Sequence, residues 1–391
     1  MAAAAPAVEV TAGVAVASRS DDLLPDDAEV VVVGAGISGL CCALHLAAAG
    51  REVVVLDRAD CWGDASGANA GTLSVQVKRP EVLQVTREAV RLWGSFRDAF
   101  GIDVGFEQPG GVRVATTTAE LALLRESVRV QRGLGIEVEL LADNQVHDRF
   151  PWLGQGVLGA ACCSLDAFSS PLLAGPALIR ACREAGARVL GHTGVEAIEE
   201  RTDNFRVTTA AGALSCRRLV IAAGAWAGEI AAMLGAVLPV LVDVNMLSVT
   251  EPAPPLLDRV VTHAGGILSL KQYPNGTCVI GGGWQGRGGL ADGRRDLDYE
   301  NLLHNLRIAA AVVPALAELR VVRSWSGFEA VAPDALPVLG RLPGHNDAYV
   351  LACARGGYSQ GPALGKLLAE LMLDGTTSLP VNKFDPGRFR A

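Results

Sequence analysis

The stretch VVVVGAGISGL, Val30 to Leu40, decides how this chain folds. Four consecutive valines suit a strand buried on both faces, and glycines follow at 34, 36 and 39 with the spacing G-x-G-x-x-G. In such a turn Gly34 permits the bend, Gly36 lets the main chain approach a pyrophosphate, and Gly39 lets the next helix pack close to the strand. Ile37 and Ser38 would open that helix, whose N-terminal N–H groups and dipole favour negative charge. Downstream, LCCALHLAAAG (Leu40 to Gly50) reads as a helix of small and apolar residues closed by Gly50. A second strand, EVVVLD, ends at Asp57, about 20 residues past the glycines, where a carboxylate can accept hydrogen bonds from ribose hydroxyls. The hexapeptide alone is weak in a chain with 45 glycines. The strand, turn, helix, strand and acid in order are what mark a dinucleotide site rather than a glycine-rich turn of another α/β protein.

Composition narrows the rest. A chain of 391 residues, half of them hydrophobic, points to two domains. A net charge of −8 argues against nucleic-acid or anionic-membrane partners. Nine cysteines occur without a C-x-x-C pair, so neither a disulfide framework nor a metal site is expected, and the thiols read as buried small hydrophobes in a reducing, cytoplasmic compartment. Residues 1–27 are rich in Ala and Val but lack a basic start and an unbroken apolar run, and they read as a loose leader. Val30 to Gly50 is apolar enough to suggest a membrane span, but the glycine turn inside it defeats one, so no membrane insertion is expected. His45, mid-helix among Ala and Leu, reads as structural.

Two more glycine-rich strand ends lie far downstream. One is RRLVIAAGAWAGEI (Arg217 to Ile230), where Ala222, Ala223 and Gly224 are small enough for a long cofactor to lie against the main chain. The other, YVLACARGGYSQGPALGKLLAEL, has a strand, then Gly356, Gly357 and Gly361, then a helix from about Pro362. Each alone is equally an ordinary turn. Together they favour one extended cofactor, FAD rather than NAD, wrapped by a discontinuous domain. Between them, Leu238 to Gly283 is strand-rich, with a hairpin turning at Pro274, Asn275 and Gly276, and Asp296 to Leu319 is helical in pattern. The expected fold is therefore α/β. A three-layer Rossmann-like FAD domain of the glutathione-reductase type is assigned 28–80, 155–232 and 330–391, and an α+β substrate domain with an antiparallel sheet is assigned 81–154 and 233–329.

The segments VVVVGAGISGL, VVVLDR, SGANAGTLSVQ, DAFSSPLLAGPAL, LVIAAGAWA, NMLSVTEP, WSGFEAVAPDALPVLG and GGYSQGPALG together resemble the D-amino-acid oxidase family of flavoproteins. Glycine oxidase and sarcosine oxidase are members. SGANAGTLSVQ and ILSLKQYPNGTCVIGGGW look most like the β subunits of D-hydroxyproline dehydrogenase and opine oxidases. The resemblance implies non-covalent FAD, with Gly34, Gly36 and Gly39 at the pyrophosphate, Asp57 and Arg58 at the adenosine end, and Val195 at the adenine. Ser66, Asn69, Ala70, Gly71 and Thr72 would line the flavin side. Ala223, Gly224 and Trp226 would lie along the ribityl chain, and Gly356, Gly357, Tyr358, Ser359 and Gln360 at the pyrimidine edge.

Departures matter as much. Glycine oxidase and D-amino-acid oxidase carry an arginine for the substrate carboxylate just after the W-x-G segment, but here Trp325 to Ala330 reads WSGFEA, with Glu329 in or beside that place. Sarcosine oxidases use a lysine in the last glycine loop, where this chain has Ser359. No cysteine falls between Arg323 and Asp334 to tether a flavin, and Cys353 reads as core. Lys271 and Arg355 are the cationic candidates for the substrate, and Glu329 could meet a substrate cation; each reads equally as a surface charge or a residue paired with a neighbour. Gln76, Tyr273, Trp325 and Tyr358 are candidate wall residues, and His263 a candidate base. The expected activity is oxidation of a C–N bond in a small amino-acid-derived substrate. A dehydrogenase passing electrons to a partner subunit or carrier, an O2-using oxidase, and a non-catalytic FAD scaffold stay open.

Overall fold

The computed structural model of the protein describes residues 23–142, 144–352 and 356–390. The expectations for residues 1–22 of the leader, for Cys353 and for Arg355 lie outside the described residues.

The valine run forms β1 (Asp27–Val33). Its side chains alternate, Val30 and Val32 entering one core and Val31 and Val33 the core on the opposite face. Strands are numbered in chain order. The first eight-stranded sheet runs β19 (Val338–Arg341), β20 (Ala348–Ala352), β11 (Gly212–Ile221), β1, β2 (Val53–Leu56), β8 (Arg188–Leu190), and an antiparallel extension of β10 (Phe205–Thr209) and β9 (Val195–Glu200) pairs with β11. From β20 to β8 every pairing is parallel. The helices α1 (Ile37–Ala48), α2 (Leu83–Phe100), α5 (Pro171–Glu184) and α8 (Gly357–Asp374) cover one face, and α6 (Ala227–Ala232) with the β9–β11 meander covers the other. That is the expected three-layer arrangement. α8 lies tight on α1 because Gly361 and Gly365 face it. A Cβ on Gly365 would stand 2.7 Å from the Cys42 nitrogen.

The second eight-stranded sheet runs β18 (Val321–Val331), β12 (Leu241–Thr250), β15 (Cys278–Gly281), β14 (Ser269–Gln272), β13 (Val260–His263), β4 (Gly111–Ala115), β6 (Gly159–Cys163), β5 (Glu139–Ala142). It is antiparallel except at β4 and β13. The β14–β15 turn is the expected Pro274, Asn275, Gly276, with Gly276 at φ +87°. Helices α3 (Thr118–Gly133), α4 (Asn144–Arg149) and α7 (Tyr299–Val312) accompany this sheet, and two short pairs, β3 (Thr72–Leu73) with β7 (Ala167–Phe168) and β16 (Arg287–Gly289) with β17 (Arg294–Asp296), complete the order.

Two details differ from the sequence reading. The segment from residue 155 does not return at once to the first sheet, because β6 pairs with β4 and β5 in the second. The last helix starts at Gly357, not near Pro362, because Gly356 at φ +83° caps it. Tyr358, Ser359 and Gln360 are therefore in its first turn. His45 is largely buried beside the Phe100 ring at 5.8 Å, and burial lowers its pKa, which suits a structural imidazole. Among the described residues no helix is long and apolar enough to cross a membrane.

Candidate active site

The glycine turn between β1 and α1 is built as its spacing requires. Gly34 has φ +113°, and a Cβ there would sit 2.4 Å from the Ala222 carbonyl oxygen at the end of β11. A Cβ on Gly39 would lie 2.0 Å from the Gly34 oxygen, so the third glycine serves packing rather than contact with a ligand. α1 has no side-chain cap and no acidic residue in its first turn, and the Ile37 N–H donates to Ser66 Oγ at 2.9 Å. Asp57 closes the turn. Its carboxylate accepts from the N–H groups of Ala35 at 2.8 Å and Ala59 at 3.0 Å, while burial pushes its pKa up. Each oxygen keeps a lone pair for a ribose hydroxyl. The Arg58 guanidinium lies 3.4 Å over the Trp226 ring, joining two expected cofactor residues from distant segments.

One cavity of about 950 Å³ connects this turn to both other glycine-rich strand ends and to the face of the second sheet. It stands at the upper end of the ~300–1,000 Å³ usual for cofactor sites. All the residues expected to hold FAD line it except Gly39, Gly71 and Ser359. Gly71, at φ +78°, is required by the Ser169 oxygen, 2.0 Å from its would-be Cβ. Ser359 is buried and its hydroxyl donates to the Gly356 oxygen at 2.8 Å. α8, like α1, has no acidic residue in its first turn. Two helix starts without an acidic residue in their first turns and three side-chain-poor turns along one cavity fit a long molecule with an anionic middle and an end that becomes anionic. No described cysteine lines the cavity.

At the far end the candidate substrate residues separate. Gln76 does not reach the wall. It is buried, and its Nε2 donates to Asp166, which also accepts from Ser74 Oγ at 2.8 Å and the Val75 N–H at 2.6 Å. Tyr273 and Trp325 turn inward as clamps on the loop expected to line the flavin: the phenol donates to the Ala70 and Ser169 oxygens, and the indole to the Ala68 oxygen. Tyr358 stacks on Trp93 at 5.1 Å and its hydroxyl meets Ser169 Oγ at 2.9 Å. His263 Nδ1 accepts the Gly266 N–H at 2.6 Å, and burial lowers its pKa. Glu329 lines the cavity, but its Oε1 accepts the Gly356 N–H at 2.7 Å and its Oε2 accepts from Asn245 Nδ2. It ties the second sheet to the last glycine turn. Lys271 is fully buried rather than on the surface; its ammonium donates to Thr72 Oγ1 at 2.9 Å, and burial lowers its pKa to about 7.

Sequence reasoning missed Lys78, Arg113 and Thr262, all on the cavity wall. Lys78 Nζ would lie 2.0 Å from a Cβ on Gly356, so it sits directly against the last glycine turn. A basic residue so soon after SGANAGTLSVQ was the available signal. Arg113 and Thr262 are brought together only by the β4–β13 register, which no local pattern reveals.

Residues 29–371 match the model of the family described as FAD dependent oxidoreductase. A subunit of the opine oxidase of Rhizobium meliloti is 28% identical over 348 residues, covering 84% of this chain and 89% of that protein. Glycine oxidase of Geobacillus kaustophilus is 30% identical over 356 residues, covering 88% and 92%. The crystal structure of L-proline dehydrogenase from P. horikoshii superposes with a TM-score of 0.86 at 28% identity over 94% of this chain and 98% of that one. With the three glycine turns along one long cavity, these likenesses place the chain in the FAD-dependent oxidoreductase family typified by D-amino-acid oxidase, as an enzyme that uses FAD.

Proposed function

We propose that this protein oxidises the C–N bond of a small amino-acid-derived secondary or primary amine to the imine, as a dehydrogenase that works with a partner subunit or electron carrier. The observation that carries the reading is the shared cavity, lined both by the start of α8 and by Arg113, Thr262 and Ser269 of the second sheet. Relatives named for opines, glycine and L-proline support an amino-acid-like substrate, and the relative that is one subunit of an opine oxidase supports a multi-subunit setting. The division of labour follows the two sheets, the first holding the cofactor and the second the substrate.

Bound FAD supplies the two-electron acceptor for hydride from the carbon beside nitrogen. The chain's residues supply position and field. The N–H groups in the first turn of α8 stabilise negative charge where it develops. Glu329 fixes that start by accepting the Gly356 N–H. Lys78, against the same turn, gives the substrate carboxylate a cation in place of the family's missing arginine. The absence of cysteine from the described wall supports non-covalent FAD, and the described free thiols support a reducing, cytoplasmic setting.

Anaerobic addition of D-hydroxyproline, D-amino acids, sarcosine, L-proline and opines tests the reading. An amine of this set should bleach the flavin; a flavin that stays yellow with every one of them would leave a cofactor-binding scaffold instead. The likeness to glycine oxidase keeps an oxidase as the second reading. Rapid reoxidation of the bleached flavin by air would favour it.

A further inference from the structure

Lys271 is not used by that reading. It lies on β14 with no exposure. The β14 pairings set it opposite Val279 of β15, two residues along from Ser269, which pairs with Thr262 of β13. Its ammonium donates to Thr72 Oγ1 at 2.9 Å, and Thr72 Oγ1 lies 2.7 Å from Ser269 Oγ, with either oxygen able to donate. Thr72 and Ser269 both line the cavity. A continuous chain of hydroxyls therefore joins a sealed amine to the space where the substrate would sit. Next to Ser269, the buried Thr262 Oγ1 lacks a protein partner and also belongs to the wall, so this wall is equipped for a polar ligand.

We propose that Lys271 accepts the proton of the substrate's ammonium, passed along Ser269 and Thr72. This rests on the amine oxidation proposed above. An ammonium has no lone pair to assist hydride loss, so one proton must leave before the C–H bond breaks. The substrate N–H gives its proton to Ser269 Oγ, the Ser269 proton moves to Thr72 Oγ1, and the Thr72 proton moves to Nζ. The neutral lysine becomes an ammonium and the substrate a neutral amine; no electrons are transferred. Burial holds Nζ near pH 7, in the range a proton acceptor needs. Charged and titratable groups around it do not replace it. Arg113 of β4 lies two strands away on the same face, and Asp166 is enclosed by donors from Ser74, Val75 and Gln76. The Tyr273 ring is 5.6 Å away with its phenol pushed well up by burial, and His263 turns toward Thr116 and Gly266.

Stopped-flow reduction of the FAD-loaded protein by its amine substrate, without oxygen and from about pH 6 to 10, tests the relay. The wild type should speed up as pH rises through about 7 and then level off. Lys271→Met and Thr72→Val should each lose that limb, slow at least about tenfold at pH 7, and keep accelerating toward the substrate's own amine pKa; Thr72→Ser should restore the wild-type profile. Thr72→Val leaves the lysine in place, so it decides the matter if Lys271→Met folds poorly. A limb unmoved in Thr72→Val overturns the relay. Thermal melts give a readout apart from turnover. A folded pKa below the unfolded one leaves the unfolded chain with more protons between about 7 and 10.5, so wild-type stability contains a term that rises with pH across that window. The advantage of Lys271→Met over wild type in Tm should shrink from about pH 7 to pH 10; a constant difference means the lysine does not titrate there and sinks the proposal. If no amine reduces the wild type, the proposed function fails first and separately.

Discussion

At the scale of single residues, the site depends on atoms that a bulkier or differently charged neighbour would displace. Gly36→Glu puts bulk and a negative charge over the helix start proposed to face the pyrophosphate, and purified protein should carry no flavin after gel filtration. Glu329→Gln keeps an acceptor for the Gly356 N–H but loses the carboxylate charge. Titration followed by flavin fluorescence should show FAD bound about tenfold more weakly, the order of one charged hydrogen bond. A change confined to the KM for cationic substrates would return Glu329 to a substrate role. Lys78→Met should raise KM by about tenfold for substrates bearing a carboxylate and leave neutral amines unchanged. Gly34, Gly36, Gly39 and Asp57 were legible in sequence because each answers a local demand: a positive φ, a close approach, or the end of the second strand. Glu329 was visible only as a departure. That it braces Gly356 and is held by Asn245 depends on the β12–β18 pairing, which sets Asn245 and Gly327 opposite each other across the sheet.

At the scale of elements, α1, α7 and α8 could be read and their contacts could not. The pattern of small residues from Ile37 to Ala48 announced α1 but not which helix would lie on it. Gly361 and Gly365 answer that, because they remove the side chains that would hold α8 away. Gly365→Val should force the pair apart at about 1–3 kcal/mol, seen as a lower Tm with weaker FAD retention. The Pro362 signal misplaced the start of α8 because proline suits a first turn in general, whereas Gly356 supplies the actual cap here. Asp166 plays a comparable role from outside the cavity. By accepting from Ser74, Val75 and Gln76 it fixes the segment that carries Lys78.

For the whole molecule, three segments far apart in sequence build one sheet and a second sheet closes over the cavity they form. Glycine-rich strand ends made β1, β11 and β20 of the first sheet legible, whereas β8, β9, β10 and β19 carried no such mark. The second was readable as strands but not in order. Its parallel contact, β4 with β13, joins distant parts of the chain, and so it hid the wall containing Arg113 and Thr262. The proposed dehydrogenase activity means that the substrate-bleached protein should recolour slowly in air and quickly with an artificial electron acceptor, followed by flavin absorbance. The most direct measurement is FAD content. Protein purified, stripped and re-offered FAD should bind one equivalent per chain, turn yellow with the band at about 450 nm that oxidised flavin brings, and release the flavin intact on denaturation. A chain that stays colourless in excess FAD would contradict the cradle formed by its three glycine turns.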